Sequence, residues 1–233
     1  MTIQSMRAEN GCLPTAALKE LLQLPAPQRK LPKVRKCGIQ TSFASWKMGE
    51  MLYSESLNEH KAMTILEADP DVLGFCAQPK RFEYEVDGKK RRYCNDILYV
   101  KRSGERVYQE LKEDDESKDN PRMAEKCLAA ETQCREMGCT YEVKTKADLE
   151  RGHRLENSRL ILKDRVVIVS DADRGVIQRA LYQKPLSVDQ IAALLGDRVE
   201  IAFQKVRSVA AWGHVRFDMD QRLTNETKFH LPN

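Results

Sequence analysis

The sequence predicts an α/β fold with a mixed β-sheet, followed by a second, mainly helical domain. Segments rich in Tyr, Val, Ile and Leu follow one another from residue 81 to residue 112, with short turns between them, as in an antiparallel meander. A helical segment at 121–137 then leads to a further strand-like segment at 139–143. A meander, a crossover helix and another strand give a mixed sheet with helices beside it.

Length and composition indicate a globular protein of two domains. The chain has 233 residues, more than the usual single domain, so we expect domains at residues 1–150 and 151–233. Hydrophobic residues make up 41% of the chain, which excludes a disordered protein. The net charge of +4 is modest for a nucleic-acid-binding protein, but the basic residues are unevenly distributed, so a local patch matters more than the total.

The cysteines and the hydropathy indicate a reducing, aqueous environment. The seven cysteines include no CxxC pair, and the four histidines are far from zinc-finger spacing. This pattern favours free thiols in a reducing cytoplasm. The N-terminus lacks the apolar core of a signal peptide, and apolar runs in the chain are short, as at residues 166–169. We therefore expect a soluble protein without a membrane partner.

Two basic segments are candidates for contacts with the DNA backbone. One follows a short predicted helix at 15–24 and is kept extended by prolines at 25, 27 and 32. The other follows an Asp-Gly hairpin turn at 87–88. The candidate residues are Lys33, Arg35, Lys36, Lys89, Lys90 and Arg91. The first segment also suits an acidic partner, and such charge is common on solvated surfaces, so these interpretations stay open.

The clearest helix of the first domain carries a glutamate near its start. Ser56 or a neighbour caps this helix, apolar residues recur at helical spacing over 57–66, and Asp69-Pro70 ends it. Glu59 lies in the first turn beside the apolar stripe. It is either a surface glutamate favoured by the helix dipole or a third carboxylate that completes a metal site on the adjacent sheet.

A predicted hairpin gathers two carboxylates and one amine. Strands at 93–100 and 106–112 flank a turn at 102–105, and Asp96 is expected within the first strand. Glu110 and Lys112 point to one face of the second strand because strand residues alternate sides. The acid-x-lysine spacing also occurs at 59–61, 87–89, 116–118, 142–144 and 226–228, so taken alone it is more typical of a solvated strand face than of a metal site.

These residue types suit hydrolysis of a phosphodiester by a hard divalent cation, Mg²⁺ or Mn²⁺. Mg²⁺ takes only a few carboxylate ligands, polarises a phosphate oxygen and activates a bound water. Asp96 and Glu110 would hold the metal, and Leu111 would contribute only its backbone carbonyl. Lys112 would help deprotonate the water and neutralise charge that grows on the phosphate.

The order of helix, strands, crossover helix and strand resembles the core of the restriction-endonuclease-like nucleases, the PD-(D/E)xK superfamily. Within it, the sequence is similar to the TnsA-type endonuclease subunit of heteromeric transposases. The segments that carry the resemblance are residues 46–59, 59–72, 78–79, 86–96, 110–112, 138–150 and 155–162. One departure is Asn95, which stands where a proline usually precedes the metal-binding aspartate.

The resemblance implies a catalytic set and a division of labour. Glu59, Asp96, Glu110 and Lys112 would hydrolyse the 5′ strand at transposon ends, in the bacterial cytoplasm or nucleoid. A TnsB-like recombinase of the RNase H-like class would cut and join the 3′ ends, and a TnsC-like ATPase would regulate both. The alternatives are a stand-alone restriction or repair endonuclease and a non-catalytic assembly adaptor.

The second domain is predicted to resemble a winged helix. Helices are expected from about residue 151 through residue 162, at 173–182, from Ser187 as N-cap to Gly196 as stop, and at 198–211. A small hairpin is expected from segments 213–218 and 222–229. Arg198, Lys205 and Arg207 either contact DNA or support a domain that docks protein, and the sequence leaves both open.

Overall fold

A computed structural model describes residues 15–26, 40–79, 81–86, 89–113 and 121–232. The chain divides into two compact units. Unit 1 contains the described residues of 1–66 and 71–149, and unit 2 contains those of 67–70 and 150–233. The predicted DNA-binding residues Lys33, Arg35 and Lys36, and the predicted turn at 87–88, lie outside the described residues.

In unit 1, the chain alternates between strands and helices. Its helices are α1 (Thr15–Leu21), α2 (Leu57–Ala68, whose last two residues belong to unit 2), α3 (Pro121–Glu136) and α4 (Lys146–Glu150). Its strands are β1 (Thr41–Ser45), β2 (Glu50–Ser54), β3 (Val72–Ala77), β4 (Arg81–Val86), β5 (Lys89–Cys94), β6 (Ile97–Lys101), β7 (Arg106–Lys112) and β8 (Thr140–Thr145).

A mixed four-stranded sheet forms the centre of unit 1. Its strand order is β3-β6-β7-β8. The pairs β3–β6 and β6–β7 are antiparallel, whereas β7 and β8 are parallel. Parallel neighbours need a long crossover, which α3 supplies between β7 and β8. The predicted fold class, a mixed α/β fold consistent with a restriction-endonuclease-like core, is confirmed.

The predicted strand at 93–100 and the three-stranded meander are wrong in detail. The chain changes partners within this segment: β5 pairs with β4 as far as Cys94, and β6 pairs with β3 and β7 from Ile97 onward. The pair β4–β5 therefore forms a separate two-stranded sheet. Asp96, predicted within a strand, lies in the bend between β5 and β6, where its carbonyl oxygen accepts a 2.7 Å hydrogen bond from the Gln78 N–H.

Two elements of unit 1 were not predicted from the sequence. One is the antiparallel hairpin β1–β2. The other is β3, whose residues are almost all buried, with Phe75 fully so. A strand covered on both faces shows a continuous apolar run instead of alternation, and six residues of such a run do not identify a strand.

Unit 2 is helical, with a short irregular C-terminal segment. Its helices are α5 (Arg154–Asp164), α6 (Asp171–Gln183), α7 (Val188–Leu195) and α8 (Val199–Ala211). Their buried side chains, including Ile177, Ile191 and Val206, form one core with Phe229. Ser187 caps α7 in a capping box with Gln190, as predicted.

The winged-helix assignment of residues 151–233 stays a prediction. The expected two-stranded hairpin from 213–218 and 222–229 is not formed in the described part of unit 2. There, Arg216 makes an isolated antiparallel bridge with His230, and Leu186 makes another with Phe229. Arg207 forms an ion pair with Asp164, which gives this candidate DNA contact a structural role.

Lys205, another candidate DNA contact, is also held by acidic neighbours within unit 2. Its ammonium donates to Asp173 at 2.9 Å and to Asp197 at 2.6 Å. Arg198 is the N-cap residue of α8 and makes no side-chain capping hydrogen bond. The contacts of Lys205 therefore favour a role in the core of unit 2 over one in DNA contact.

The described residues also bear on the expectations for cysteines and membranes. The described cysteines, Cys76, Cys94, Cys127, Cys134 and Cys139, are free thiols. In the described part of the chain, none of the helices combines the length and the apolar character that crossing a membrane requires.

Replacing Gly196 with alanine is expected to lower the free energy of unfolding by about 1 kcal/mol. Gly196 ends α7 with φ +70°, a conformation that costs a residue with a Cβ, and an added Cβ would meet no atom within 4 Å. The loss of stability would thus come from backbone conformation alone. Urea unfolding followed by far-UV circular dichroism measures it.

Gly175→Ala is the matched control. Gly175 lies inside α6 and its φ is not positive; an added Cβ would lie 3.2 Å from the Arg179 guanidinium, the tip of an exposed side chain that can move away. Alanine at this position is expected to raise the free energy of unfolding by about 0.5–1 kcal/mol, since alanine favours helix. Equal effects of the two substitutions would contradict the conformational explanation.

Candidate active site

The bend before β6 and the end of β7 bring Asp96 and Glu110 together. Ile97 pairs with Gln109 across the antiparallel strands, so Asp96 and Glu110 are the next neighbours along the two chains. The Asp96 carboxylate also accepts a 2.8 Å hydrogen bond from the backbone N–H of Leu111. The chain changes sheet partners at this point, because β5 pairs with β4 as far as Cys94 and β6 pairs with β3 and β7 from Ile97 onward.

Glu110 is the most deeply buried acidic side chain of this cluster, at 2% exposure. Its Oε1 accepts hydrogen bonds from the ammonium groups of Lys112 and of Lys126, the latter at 3.0 Å. Its Oε2 is buried and makes no hydrogen bond within the described part of the protein. A buried carboxylate oxygen without a donor is costly, and a cation would satisfy it.

Lys126 is a member of this cluster that the sequence analysis missed. It lies on α3, four residues before the buried Ala130 and eight before the buried Cys134, so it belongs to the inward stripe of that helix. Its ammonium also lies 3.6 Å from the centre of the Tyr93 ring. A lysine in phase with a buried helical stripe is the sequence signal that could have identified it.

Burial and charge act against each other at these groups. Burial is the main influence on Asp96 and raises the pKa of its carboxyl, against the Leu111 N–H, Lys112 and Lys126. Burial alone would lower the pKa of Lys112, but Glu110 and Asp96 outweigh it and raise that pKa. Burial lowers the pKa of Lys126 despite the neighbouring Glu110. In the metal-free protein, burial therefore disfavours the charged form of Asp96 in spite of the two neighbouring ammonium groups.

The Glu59 side chain folds back onto the N-terminus of α2 and accepts two hydrogen bonds there. One of its carboxylate oxygens accepts from the Glu55 N–H at 3.0 Å and the other from the Ser56 hydroxyl at 3.1 Å. Ser56 in turn accepts from the Glu59 N–H at 3.1 Å, as an N-cap does. Burial first, and then the charge of Asp96, raises the pKa of Glu59 to about 7.

The start of α2 lies beside the cluster. The Asn58 side-chain amide donates a 2.8 Å hydrogen bond to Glu113, the residue directly after β7. The electrostatic influence of Asp96 on Glu59 points to the same proximity. Among the described residues, however, no three His, Cys, Asp or Glu side chains form a group that could hold a metal. Glu59 as a third metal ligand therefore stays a prediction.

Two carboxylates of this cluster fit a hard divalent cation. Mg²⁺ binds through one or two carboxylates and completes its shell with waters and substrate phosphates. Asp96 supplies one carboxylate, and Glu110 supplies another with its unpaired Oε2. For Leu111, the contact that the structure describes is the N–H to Asp96, and the predicted role of its carbonyl stays a prediction.

Asn95 is the residue at which the chain departs from the resembled motif. Its side chain is fully buried, and neither amide atom has a hydrogen-bond partner in the described regions. An unpaired buried amide costs about 1–3 kcal/mol. Asparagine in place of the usual proline therefore puts a buried side-chain amide next to Asp96, and this amide lowers the stability of the fold.

The basic strand β5 leads directly into this site. Lys90 and Arg91 are exposed on it, and Lys89 is its first residue. β5 ends only two residues before Asp96. Contact of these three residues with DNA stays a prediction.

Replacing Glu59 with glutamine is expected to make the metal-free protein more stable at alkaline pH. The folded-state pKa of about 7 lies above the reference value of 4.5, so the contribution of Glu59 to stability is full below pH 4.5 and is lost as the pH rises through 7. Glutamine removes this loss, which is about 3 kcal/mol at pH 8. Its carbonyl oxygen still accepts from the Glu55 N–H.

Urea unfolding in a chelating buffer at pH 5 and pH 8 measures this difference. Glu125→Gln, at an exposed position of α3, is the matched control and should follow the wild type at both values. A Glu59→Gln variant that differs from the wild type equally at pH 5 and pH 8 would contradict the elevated pKa.

Comparison with known protein families gives one result that bears on this cluster. Residues 69–160 match the family model described as TnsA-like endonuclease N terminal. The matched segment includes Asp96, Glu110, Lys112 and Lys126 and begins after Glu59. No curated protein matches the chain.

Proposed function

We propose that this chain, whose residues 69–160 identify it as a TnsA-like endonuclease of the restriction-endonuclease-like superfamily, cuts the 5′ strand at the ends of a transposable element. The observation that carries the proposal is the meeting of Asp96, Glu110 and Lys112 at one end of the two inner strands, β6 and β7, inside the matched segment. Hydrolysis of this non-transferred strand would release the element from donor DNA, so that it moves by cut-and-paste.

Asp96 and Glu110 would hold Mg²⁺ or Mn²⁺, in keeping with the divalent metals that restriction-endonuclease-like nucleases generally use. When bound, such an ion polarises a phosphate oxygen and makes a water nucleophilic near neutral pH. The chain's own contribution is to fix the two carboxylates. The Leu111 N–H orients Asp96, and the lysines hold Glu110.

Lys112 would act chiefly as a cation. In the metal-free protein its raised pKa favours the ammonium form, which would neutralise charge that grows on the scissile phosphate. The side chain is 8% exposed, so this interaction would take place in a site with little water and would be correspondingly strong. Lys112 would also help deprotonate the attacking water, since a bound cation lowers the pKa of a neighbouring ammonium group.

Glu59 would join the catalytic set as the third carboxylate. Its pKa of about 7 keeps part of the population ionised at neutral pH, and its hydrogen bonds to Glu55 and Ser56 orient it. An incoming cation would favour the ionised form.

The partners follow from the same family. A TnsA-like domain acts on DNA as part of a heteromeric transposase. A separate recombinase of the RNase H-like class would cut and join the 3′ ends, and an ATPase would regulate the assembly. Residues 151–233 would form a winged-helix-like domain that docks one of these proteins or contacts DNA. Reading frames for both partners are expected next to the gene.

The test is a cleavage assay on donor DNA that carries both element ends. The purified chain is incubated with Mg²⁺, with and without the recombinase from the adjacent reading frame, and nicks are mapped on each strand. We expect 5′-strand cuts at the element ends only when both proteins are present. Cuts by this chain alone would instead indicate an independent endonuclease, and 5′ cuts made equally without it would overturn the proposal.

A further inference from the structure

Two ammonium groups converge on one carboxylate oxygen in the candidate active site. Lys112 and Lys126 both donate to Oε1 of Glu110, while Oε2 has no hydrogen-bond partner in the described part of the chain. Together with Asp96, the cluster contains two acidic and two basic side chains and is balanced as it stands. A divalent cation would add two positive charges to this balance, so an ammonium group has to give way.

The two lysines differ in how they are held. Lys112 lies on β7, two residues from Glu110, and its side chain is 8% exposed. Lys126 reaches the carboxylate from α3, and its side chain is 17% exposed. Its ammonium is also 3.6 Å from the centre of the Tyr93 ring, which holds a cation independently of Glu110. Lys126 therefore keeps a favourable contact with the Tyr93 ring when it releases Glu110. Lys112 lies on the same strand as Glu110.

We propose that Lys126 is a resident counter-cation of the metal site: it neutralises Glu110 before the metal binds and releases the carboxylate when the metal arrives. This inference rests on the proposed function, because it takes Asp96 and Glu110 as the metal ligands. Lys126 is then a positioning residue that keeps a buried carboxylate paired and ordered in the metal-free protein. It also competes with the metal and so sets the concentration at which the site fills.

The test measures Mn²⁺ affinity from the electron paramagnetic resonance signal of the free ion. Lys126→Met keeps the length of the side chain and removes its charge, and we expect it to bind Mn²⁺ about tenfold more tightly than the wild type. Lys126→Arg keeps the charge and is expected to stay close to the wild type. Lys144→Met controls for the change in net charge, because Lys144 pairs with Glu142 on the adjacent strand β8.

The outcomes distinguish the proposed metal site from the proposed counter-cation role of Lys126. Mn²⁺ affinity of Lys126→Met that is equal to or weaker than that of the wild type overturns the counter-cation role. If Asp96→Asn loses Mn²⁺ binding in the same experiment, the proposed metal site stands while the role of Lys126 falls. A wild-type protein that binds no Mn²⁺ overturns both. Circular dichroism of each variant confirms that a loss of binding does not come from unfolding.

Discussion

Replacing Lys112 with alanine is expected to slow 5′-strand cleavage by about 10²–10³-fold. The Lys112 ammonium is 8% exposed, donates to Glu110, and is kept charged by Glu110 and Asp96. Alanine removes the cation from the place where negative charge grows on the phosphate. Strand-specific mapping of cuts on donor DNA, in the presence of the partner recombinase, measures the loss.

The joining of the 3′ strand is the internal control for this variant. The proposed function assigns joining to the partner recombinase, so joining should continue in a reaction that contains Lys112→Ala. Lys144→Ala is the matched control variant, since Lys144 lies on the neighbouring strand and pairs with Glu142. Unchanged 5′ cutting by Lys112→Ala would refute the assignment, and a loss of 3′ joining as well would indicate a failure of assembly instead.

The parts of this fold that the sequence predicts are those set by local rules. The alternation of strand residues places Glu110 and Lys112 on one face of β7. In the structure, the Lys112 ammonium donates a hydrogen bond to Oε1 of Glu110. Ser187 and Gly196 begin and end α7 as their capping chemistry predicts. In each case the residues that decide the outcome lie within a few positions of one another.

The parts that the sequence does not predict depend on distant partners. The segment at 93–100 has uniform strand character, and only the positions of β3, β4 and β7 determine that it divides at Asn95 and Asp96. Lys126 is separated from Glu110 by 16 positions. It reaches Glu110 because α3 is part of the crossover connection between the parallel strands β7 and β8. Spacing motifs list residues on one hairpin and therefore miss a lysine contributed by a neighbouring helix.

Asp96→Asn is expected to abolish the stabilisation that Mn²⁺ gives the protein. A ligand that binds only the folded state adds about 2.7 kcal/mol at a concentration of 100 times its Kd, which appears as a rise in Tm. Asparagine keeps an oxygen that accepts from the Leu111 N–H, so the bend before β6 retains its hydrogen bond. It lacks the negative charge that a divalent cation needs, so the Tm of this variant should not respond to Mn²⁺.

The same variant should be more stable than the wild type when metal is removed. Burial raises the pKa of Asp96, so its contribution to stability is full below the ordinary carboxyl pKa and declines as the pH rises through the folded-state value. Asparagine removes this decline, and its advantage should grow with pH. Thermal unfolding in a chelating buffer tests it, with Asp189→Asn at an exposed position of α7 as the control.

A structural aspartate would give the opposite result, with lower stability in Asp96→Asn and an unchanged response to Mn²⁺. A gain in metal-free stability together with the loss of the Mn²⁺ effect is what a site that keeps a buried charge for a cation requires.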